Sequence, residues 1–529
     1  MAEKFILAHD LGTTGNKASL FDEQGNVRAS SLSVYSTEYP RPNWVEQNPE
    51  DWWKAVCIST RHLLRIAKVN PQQVVCITFS GQMMGCVVLD CNARPLRNAL
   101  IWADTRAVSE AEKIISKVGM EKAYHITGHR ASSSYSAAKI MWVRDHQPDI
   151  FAEAHKFVNA KDFIVARLTG VFATDFSDAS GTNLYDLETY DWSSTMLEAA
   201  GLDRSFLPDL HESTEVVGQI LPSVADEVGL AAGTPVVIGG GDGCCAAAGA
   251  GVLREGSAYN YLGSSSWIAI ASKQPIYDPA LGTFTWAHLM RGMYSPCGTM
   301  QAAGGSYQWL RDTFCQQEKE AAEQLKISPY ELMNMQAEKS KPGANGLMFF
   351  PYLLGERSPR WNPDARGVYF GLTMSHTRAD IIRATLEGIT LNLKVILDTF
   401  RLQGAQIEAM RVIGGGANGR IWRQIMADIY GIPIHRPALL SEATSFGAAL
   451  AGGIGLGIYK DWSLAESLTP IVDKIQPNLQ LTGEYEKLYV IFNQAYEAFV
   501  PLYTELAAVS GVATVDDIVG EPLVRHKKP

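Results

Sequence analysis

Four short segments carry residue types suited to handling a phosphate and an alcohol together. Asp10-Leu11-Gly12-Thr13-Thr14 sets a carboxylate beside a tight glycine and threonine turn. Such a turn aims backbone N–H groups and hydroxyls into one concavity, which suits phosphate oxygens. Asp10, at a strand end, has the oxygen chemistry that Mg2+ takes while keeping several waters. Gly263-Ser264-Ser265 has the same logic about 250 residues later, and two such turns facing each other would clamp a polyphosphate. Gly414-Gly415-Gly416-Ala417-Asn418 stands between an apolar run and an amphipathic one. Glycines there let a ligand approach the backbone, and a following helix N-terminus favours anions. The pattern is neither GxGxxG nor the Walker GxxxxGK[ST], so the dinucleotide and P-loop readings fail. Gly239-Gly240-Gly241-Asp242-Gly243 leaves a carboxylate open between glycines. It could take a proton from an alcohol, or simply cap the helix that follows.

A fifth region offers hydrogen-bonding edges and a flat apolar wall. It joins Ser80-Gly81-Gln82-Met83-Met84-Gly85 to Ile101-Trp102-Ala103-Asp104-Thr105-Arg106. That mixture suits a polyol, whose hydroxyls and C–H faces need both. A surface salt bridge beside a core tryptophan is the plain alternative. No GxSxG elbow is present, and no nucleophile, histidine and aspartate stand in a recognisable order.

The elements that must hold these segments read as alternating strands and helices. Residues 5–8 and 17–22 form a hairpin around the first turn, and 257–262 with 267–271 form one around the second. Residues 49–68 have helical spacing at Trp52, Val56, Leu63 and Leu64, with Asn48 as cap. Residues 74–79, 235–238 and 410–413 read as buried strands. Trp422, Ile425, Met426 and Ile429 give a helix after the last of these. The pattern predicts an α/β architecture, and the two similar hairpins predict a duplicated domain. The boundary falls at 250–257, giving domains 1–254 and 255–529. The tail from Ala507 reads as frayed.

Composition narrows the class. The chain has 529 residues, 46% hydrophobic and 19% charged, enough for two to four packed domains. With 46 Lys and Arg against 56 Asp and Glu, its formal charge is −10, a poor footprint for nucleic acid. Eight cysteines in such a length make no disulfide scaffold and show no zinc spacing, which points to a reducing cytoplasm. The N-terminal apolar run is too short for a signal peptide. The apolar stretch 446–459 is too short for a membrane span.

Two spaced patterns then stand out: Ser134-x-Ser136-x-x-Lys139-Ile140-x-Trp142-Val143-x-Asp145-His146, and Gly367-x-Tyr369-x-Gly371-Leu372 followed, after seven residues, by Asp380-Ile381-x-x-Ala384-Thr385-Leu386-Glu387. With the segments above, and with Glu442-Ala443-Thr444 and Gly447-Ala448-Ala449, the chain resembles the FGGY carbohydrate kinases from Phe5 to about residue 500. These form a branch of the actin, hexokinase and heat-shock ATPase superfamily.

The resemblance implies two actin-like (ribonuclease H-like) domains around a cleft, and an ATP- and Mg2+-dependent kinase of a small sugar or polyol. It is strongest to the xylulokinase branch, which implies D-xylulose converted to D-xylulose 5-phosphate. Met84 and Gly243 depart from that branch, which commonly has His and Asn there. Kinases of ribulose, erythritol or a glycerol-like polyol, and a non-catalytic sugar and ATP sensor, stand as alternatives.

Carried over by position, Asp242 is the general base, and Asp10 and Asp242 lie near the metal. Gly12, Thr13, Thr14, Lys17, Gly263, Ser264, Ser265, Gly304, Gly305, Gly414, Gly415, Gly416 and Asn418 line ATP. Gln82, Met83, Met84, Trp102, Asp104, Arg106, Asp242 and Gly243 shape the sugar end. The resemblance also implies a homodimer, and the composition read above adds a cytoplasmic location with no nucleic-acid or membrane partner.

Overall fold

The computed structural model describes residues 3–438 and 442–510. Two mixed sheets organise it. The first holds β1 (Phe5–Leu11), β2 (Gly15–Asp22), β3 (Val27–Val34), β4 (Val74–Gly81), β5 (Val216–Gln219) and β6 (Pro235–Gly241) in the order β5-β6-β4-β1-β2-β3. The second holds β7 (Ala258–Leu262), β8 (Ser266–Ile270), β9 (Phe284–Ala287), β10 (Tyr294–Met300), β11 (Met410–Ile413), β12 (Ile434–Pro437) and β13 (Ile471–Ile475) in the order β9-β10-β8-β7-β11-β12-β13.

The expected repeat is visible in strand direction. From β3 to β5, successive pairs run antiparallel, antiparallel, parallel, parallel and antiparallel. From β10 to β13 the succession is the same. The Asp10 turn and the Gly263 turn therefore occupy equivalent places.

Helices cover both sheets. α1 (Pro49–Ala67) starts where Asn48 Oδ1 accepts from Glu50 N at 3.0 Å, and α2 (Ala160–Thr169) lies near it. Trp52, Val56 and Leu63 of α1 and Phe163 of α2 pack with Leu7, Phe79 and Ile238. α4 (Gly304–Phe314), α5 (Arg378–Leu402) and α6 (Arg420–Tyr430) belong to the second half, where Leu386, Ile389, Ile396, Trp422 and Ile425 share a core with Leu262, Ile268 and Val412.

Two helices join the halves, and Cys244, Cys245 and Ala248 of the first of them stay packed with Ile6 and Val237 of its own sheet. α3 (Asp242–Gly249) follows the first sheet, yet Ala246, Ala247 and the adjoining Ala250 pack with Tyr259, Ala269 and Ile413 of the second. α7 (Ala443–Gly455) follows the second sheet, yet Phe446, Ala448, Ala449 and Leu450 pack with Ile6, Ala8, Phe21 and Val237 of the first.

The last helix, Leu479–Ser510, carries on through Ala507, which is buried. The first residues of the expected frayed tail are therefore helical, and the rest of the tail lies outside the described residues. Among the described residues no helix is long and apolar enough to cross a membrane.

Candidate active site

The carboxyl ends of β1, β4 and β6 lie side by side, where open α/β sheets receive ligands. Asp10 pairs across to Ser80, and Gly240 pairs to Ser80 from the other side. Ser80 Oγ donates to Asp10 Oδ1 at 3.1 Å. β6 runs through the glycines to Gly241, so Asp242 is the first residue of α3 and not its cap. Its Oδ1 accepts from Gly243 N at 2.7 Å. Tyr259 of the second sheet donates to the Gly243 carbonyl at 2.9 Å, and Trp267 Nε1 donates to that tyrosine at 2.7 Å. The helix start is thus gripped from the other lobe.

Both carboxyls are half-buried and both resist ionisation. Burial pushes Asp242 up to about 7, and the charge of Asp10 adds to the push. Burial pushes Asp10 up to about 6, with Ser80 and Lys17 pulling the other way. Two neighbouring carboxylates that repel each other suit a divalent cation. Among the described residues no three His, Cys, Asp or Glu side chains converge to hold a metal. One or two carboxylates completed by substrate phosphates is the donor set that Mg2+ uses, so Asp10 and Asp242 fit that ion.

The phosphate turn is held by groups that residue spacing alone does not reveal. Gln47 Nε2 donates to the Thr13 carbonyl at 2.6 Å, and Gln47 Oε1 accepts from Gln82 Nε2 at 2.9 Å and Trp52 Nε1 at 3.0 Å. Trp102 Nε1 donates to Thr13 Oγ1 at 2.9 Å, and Tyr35 donates to the Gly12 carbonyl. Trp102, expected at the sugar end, is therefore tied directly to the phosphate turn, and Gln82 is tied to it through Gln47. Gln82 Oε1 remains buried without a hydrogen-bond partner. Met83, Met84 and Trp286 of β9 all flank Gly181, so the second lobe brings an aromatic side chain up to the Met83 and Met84 loop. Gly243 faces open space.

Asp104 and Arg106 are placed differently from the expectation. Neither the Asp104 nor the Arg106 side chain is more than 1% exposed. Arg106 Nη2 lies 2.6 Å from Asp104 Oδ2 and 2.8 Å from Glu46 Oε1, and its guanidinium stacks 3.7 Å over Trp44. Asp104 Oδ2 also accepts from Val45 N at 2.6 Å. The pair braces the Trp102 loop from behind instead of facing an open cleft. A bidentate carboxylate is the strongest partner an arginine has, and here the carboxylate lies two residues away in the chain.

Three glycine segments converge on the other lobe. Ala303 N and Gly305 N donate to the Ser264 carbonyl, and Gly304 N to the Gly263 carbonyl, each at 2.9 Å. Gly414 packs on Leu262, and Asn418 Nδ2 donates to the Gly415 carbonyl at 3.2 Å. The turn of Gly263, Ser264 and Ser265, the start of α4 and the 414–418 segment therefore form one rim, with Gly415 facing open space. Lys17 does not point there alone: its Nζ lies 2.9 Å from Glu442 Oε1, joining β2 to the approach of α7.

Two sheets of repeated topology, a pair of carboxylates between them and a phosphate-type turn on each define the actin-like class of two-domain phosphotransferases. Residues 5–249 match the N-terminal domain, and residues 258–456 the C-terminal domain, of the FGGY family of carbohydrate kinases. The chain belongs to that family and is a carbohydrate kinase.

It is 33% identical over 513 residues to the xylulose kinase of Staphylococcus epidermidis, covering 96% of this chain and 100% of that one. It is 32% identical over 505 residues to the gluconokinase of Bacillus licheniformis, covering 95% and 98%. Its fold matches the ligand-bound xylulose kinase of Lactobacillus acidophilus with a TM-score of 0.87 and 25% identity, covering 95% and 100%.

Proposed function

We propose that the chain transfers the γ-phosphoryl group of ATP to a terminal hydroxyl of a small open-chain sugar, D-xylulose before others. The observation that carries this reading is the meeting of Asp242, Asp10 and the Thr13 turn at the ends of three adjacent strands, with the glycine rim on the facing lobe. Asp242 accepts the hydroxyl proton as the sugar oxygen bonds to phosphorus, and the bond to the ADP oxygen breaks. The turn amides and the Thr13 and Thr14 hydroxyls hold the phosphate oxygens in line, which is most of what phosphoryl transfer asks of a protein. Asp10 and Asp242 would hold Mg2+, which would neutralise phosphate charge. Gln82, Met83, Met84, Trp102 and Trp286 enclose the sugar.

Gluconate is the second reading, favoured by relatives that carry the name gluconokinase at nearly the same identity. The test is a coupled ADP-release assay with D-xylulose, L-xylulose, D-ribulose, L-ribulose, gluconate, erythritol, glycerol and no sugar. Fast turnover on D-xylulose is expected. Turnover on gluconate alone would replace the substrate, and sugar binding without ADP release would leave a sensor.

The nucleotide rim makes its own prediction. A methyl added at Gly304 would stand 2.4 Å from the Gly263 carbonyl oxygen. Gly304→Ala is expected to raise the KM for ATP about tenfold while the sugar KM stays within about twofold. Steady-state kinetics with each substrate varied in turn will check it.

A further inference from the structure

Lys139 lies in the Ser136–His146 helix and has no exposed surface. Its ammonium donates to three backbone carbonyls: Met84 at 2.8 Å, Ile101 at 2.7 Å and Ser134 at 2.7 Å. No carboxylate stands within ion-pair distance of it among the described residues. A lysine offers three donors and no acceptor, so three carbonyls satisfy it completely.

The three carbonyls belong to separate loops. The first follows β4 and carries Gln82, Met83 and Met84. The second leads into Trp102. The third opens the helix of Lys139 itself. Two of them wall the sugar end, and Met84 sits there at φ 61°, a left-handed conformation that side-chain-bearing residues seldom hold unaided.

We propose that Lys139 is a positioning residue of the sugar end, one ammonium pinning the Met84 loop and the Trp102 loop to the Ser134 turn. The identity of that end rests on the kinase reading above. A buried charge with only carbonyl partners is chosen for geometry, since a neutral side chain with fewer donors would leave a carbonyl unpaired.

The arrangement is also sensitive to protonation. Burial draws Lys139 down to about 7, with Asp104 and Cys86 drawing it up and Arg106 down. Asp104 is itself bound by Arg106, and Arg97 stands near Cys86. The neutral amine has two donors for three carbonyls. As pH rises through that range one loop is released, and the sugar KM climbs.

Lys139→Gln and Lys139→Met are the variants, with kinetics at pH values on both sides of neutrality and hydrogen exchange of the free protein. Support is a sugar KM raised about tenfold with the ATP KM within about twofold, an alkaline rise in sugar KM that wild type shows and Lys139→Gln lacks, and faster exchange confined to 82–86, 101–105 and 132–136. A sugar KM unchanged in Lys139→Gln, or both KM values rising together, overturns the proposal. If wild type phosphorylates no sugar, the kinase reading fails by itself. The exchange measurement then still decides: local loosening at the three segments upholds the clamp, and unchanged or uniform exchange overturns it.

Discussion

Asp242→Asn is expected to lower kcat by about 10²–10⁴, the range lost with a general base, while both substrates still bind. The amide keeps the shape of the carboxylate and can still accept from Gly243 N, so the loss falls on proton acceptance. The pH dependence has a definite sign. The base works when ionised, and burial with the charge of Asp10 holds Asp242 near 7 instead of 3.8. Turnover in wild type should therefore fall towards acid pH, at a pH below about 7 because the charge of bound Mg2+ favours the carboxylate, and the variant should lose that limb.

Stability moves the other way. Between the ordinary carboxyl range and about 7 the folded chain binds more protons than the unfolded one, so stability falls as pH rises through that window. Asp242→Asn removes the repulsion with Asp10, and its midpoint of thermal unfolding at neutral pH should be no lower than that of wild type. A variant with full turnover would dismiss the base. A variant that is inactive because it unfolds would dismiss the account of strain between the two carboxyls.

Local rules made much of this site readable. The hairpins around Thr13 and Ser264, the helix capped by Asn48 and the strands before Asp242 and Gly414 all follow from turn residues and hydrophobic period. Each depends on neighbours within about ten positions in the chain. What escaped depends on long-range geometry. Gln47 is one polar residue before a helix, and nothing in its neighbourhood marks it as the link between Thr13, Trp52 and Gln82. Trp286 reaches Gly181, beside Met83 and Met84, from the opposite lobe, so no local pattern could place it. Asp104 and Arg106 have the composition of a polyol site, but Glu46 and Trp44 arrive from another loop and close around them. Residue type gave the chemistry there; the partner was decided by chain topology. The alternative of Asp242 as the cap of its helix falls for a physical reason. β6 stays paired to β4 through Gly241, and that pairing fixes where the helix can begin.

The crossing of α3 and α7 makes the largest stability prediction. At Gly447 an added Cβ would stand 1.9 Å from the Cys245 carbonyl oxygen, and at Gly249 one would stand 1.7 Å from the Ala443 carbonyl oxygen. The two backbones are in contact, so no side chain can turn aside to make room. Overpacking usually costs 1–3 kcal/mol, and Gly447→Val, with backbone on the receiving side, should cost at least about 3 kcal/mol. Gly483→Ala is the matched control: its added methyl meets nothing within 4 Å, and alanine favours the surrounding helix by about 1 kcal/mol. Urea midpoints should fall for the first and hold or rise for the second.

The same crossing predicts which kinetic constants move with stability. α3 begins at Asp242 and α7 packs behind β1, which carries Asp10. Forcing the helices apart shifts one carboxylate against the other and the first turn against the second. The folded fraction of Gly447→Val should then show a lower kcat and higher KM values for both substrates, unlike Gly304→Ala, whose loss is confined to ATP. Normal kinetic constants in a merely less stable Gly447→Val protein would mean that the crossing bears load without setting the geometry of the cleft.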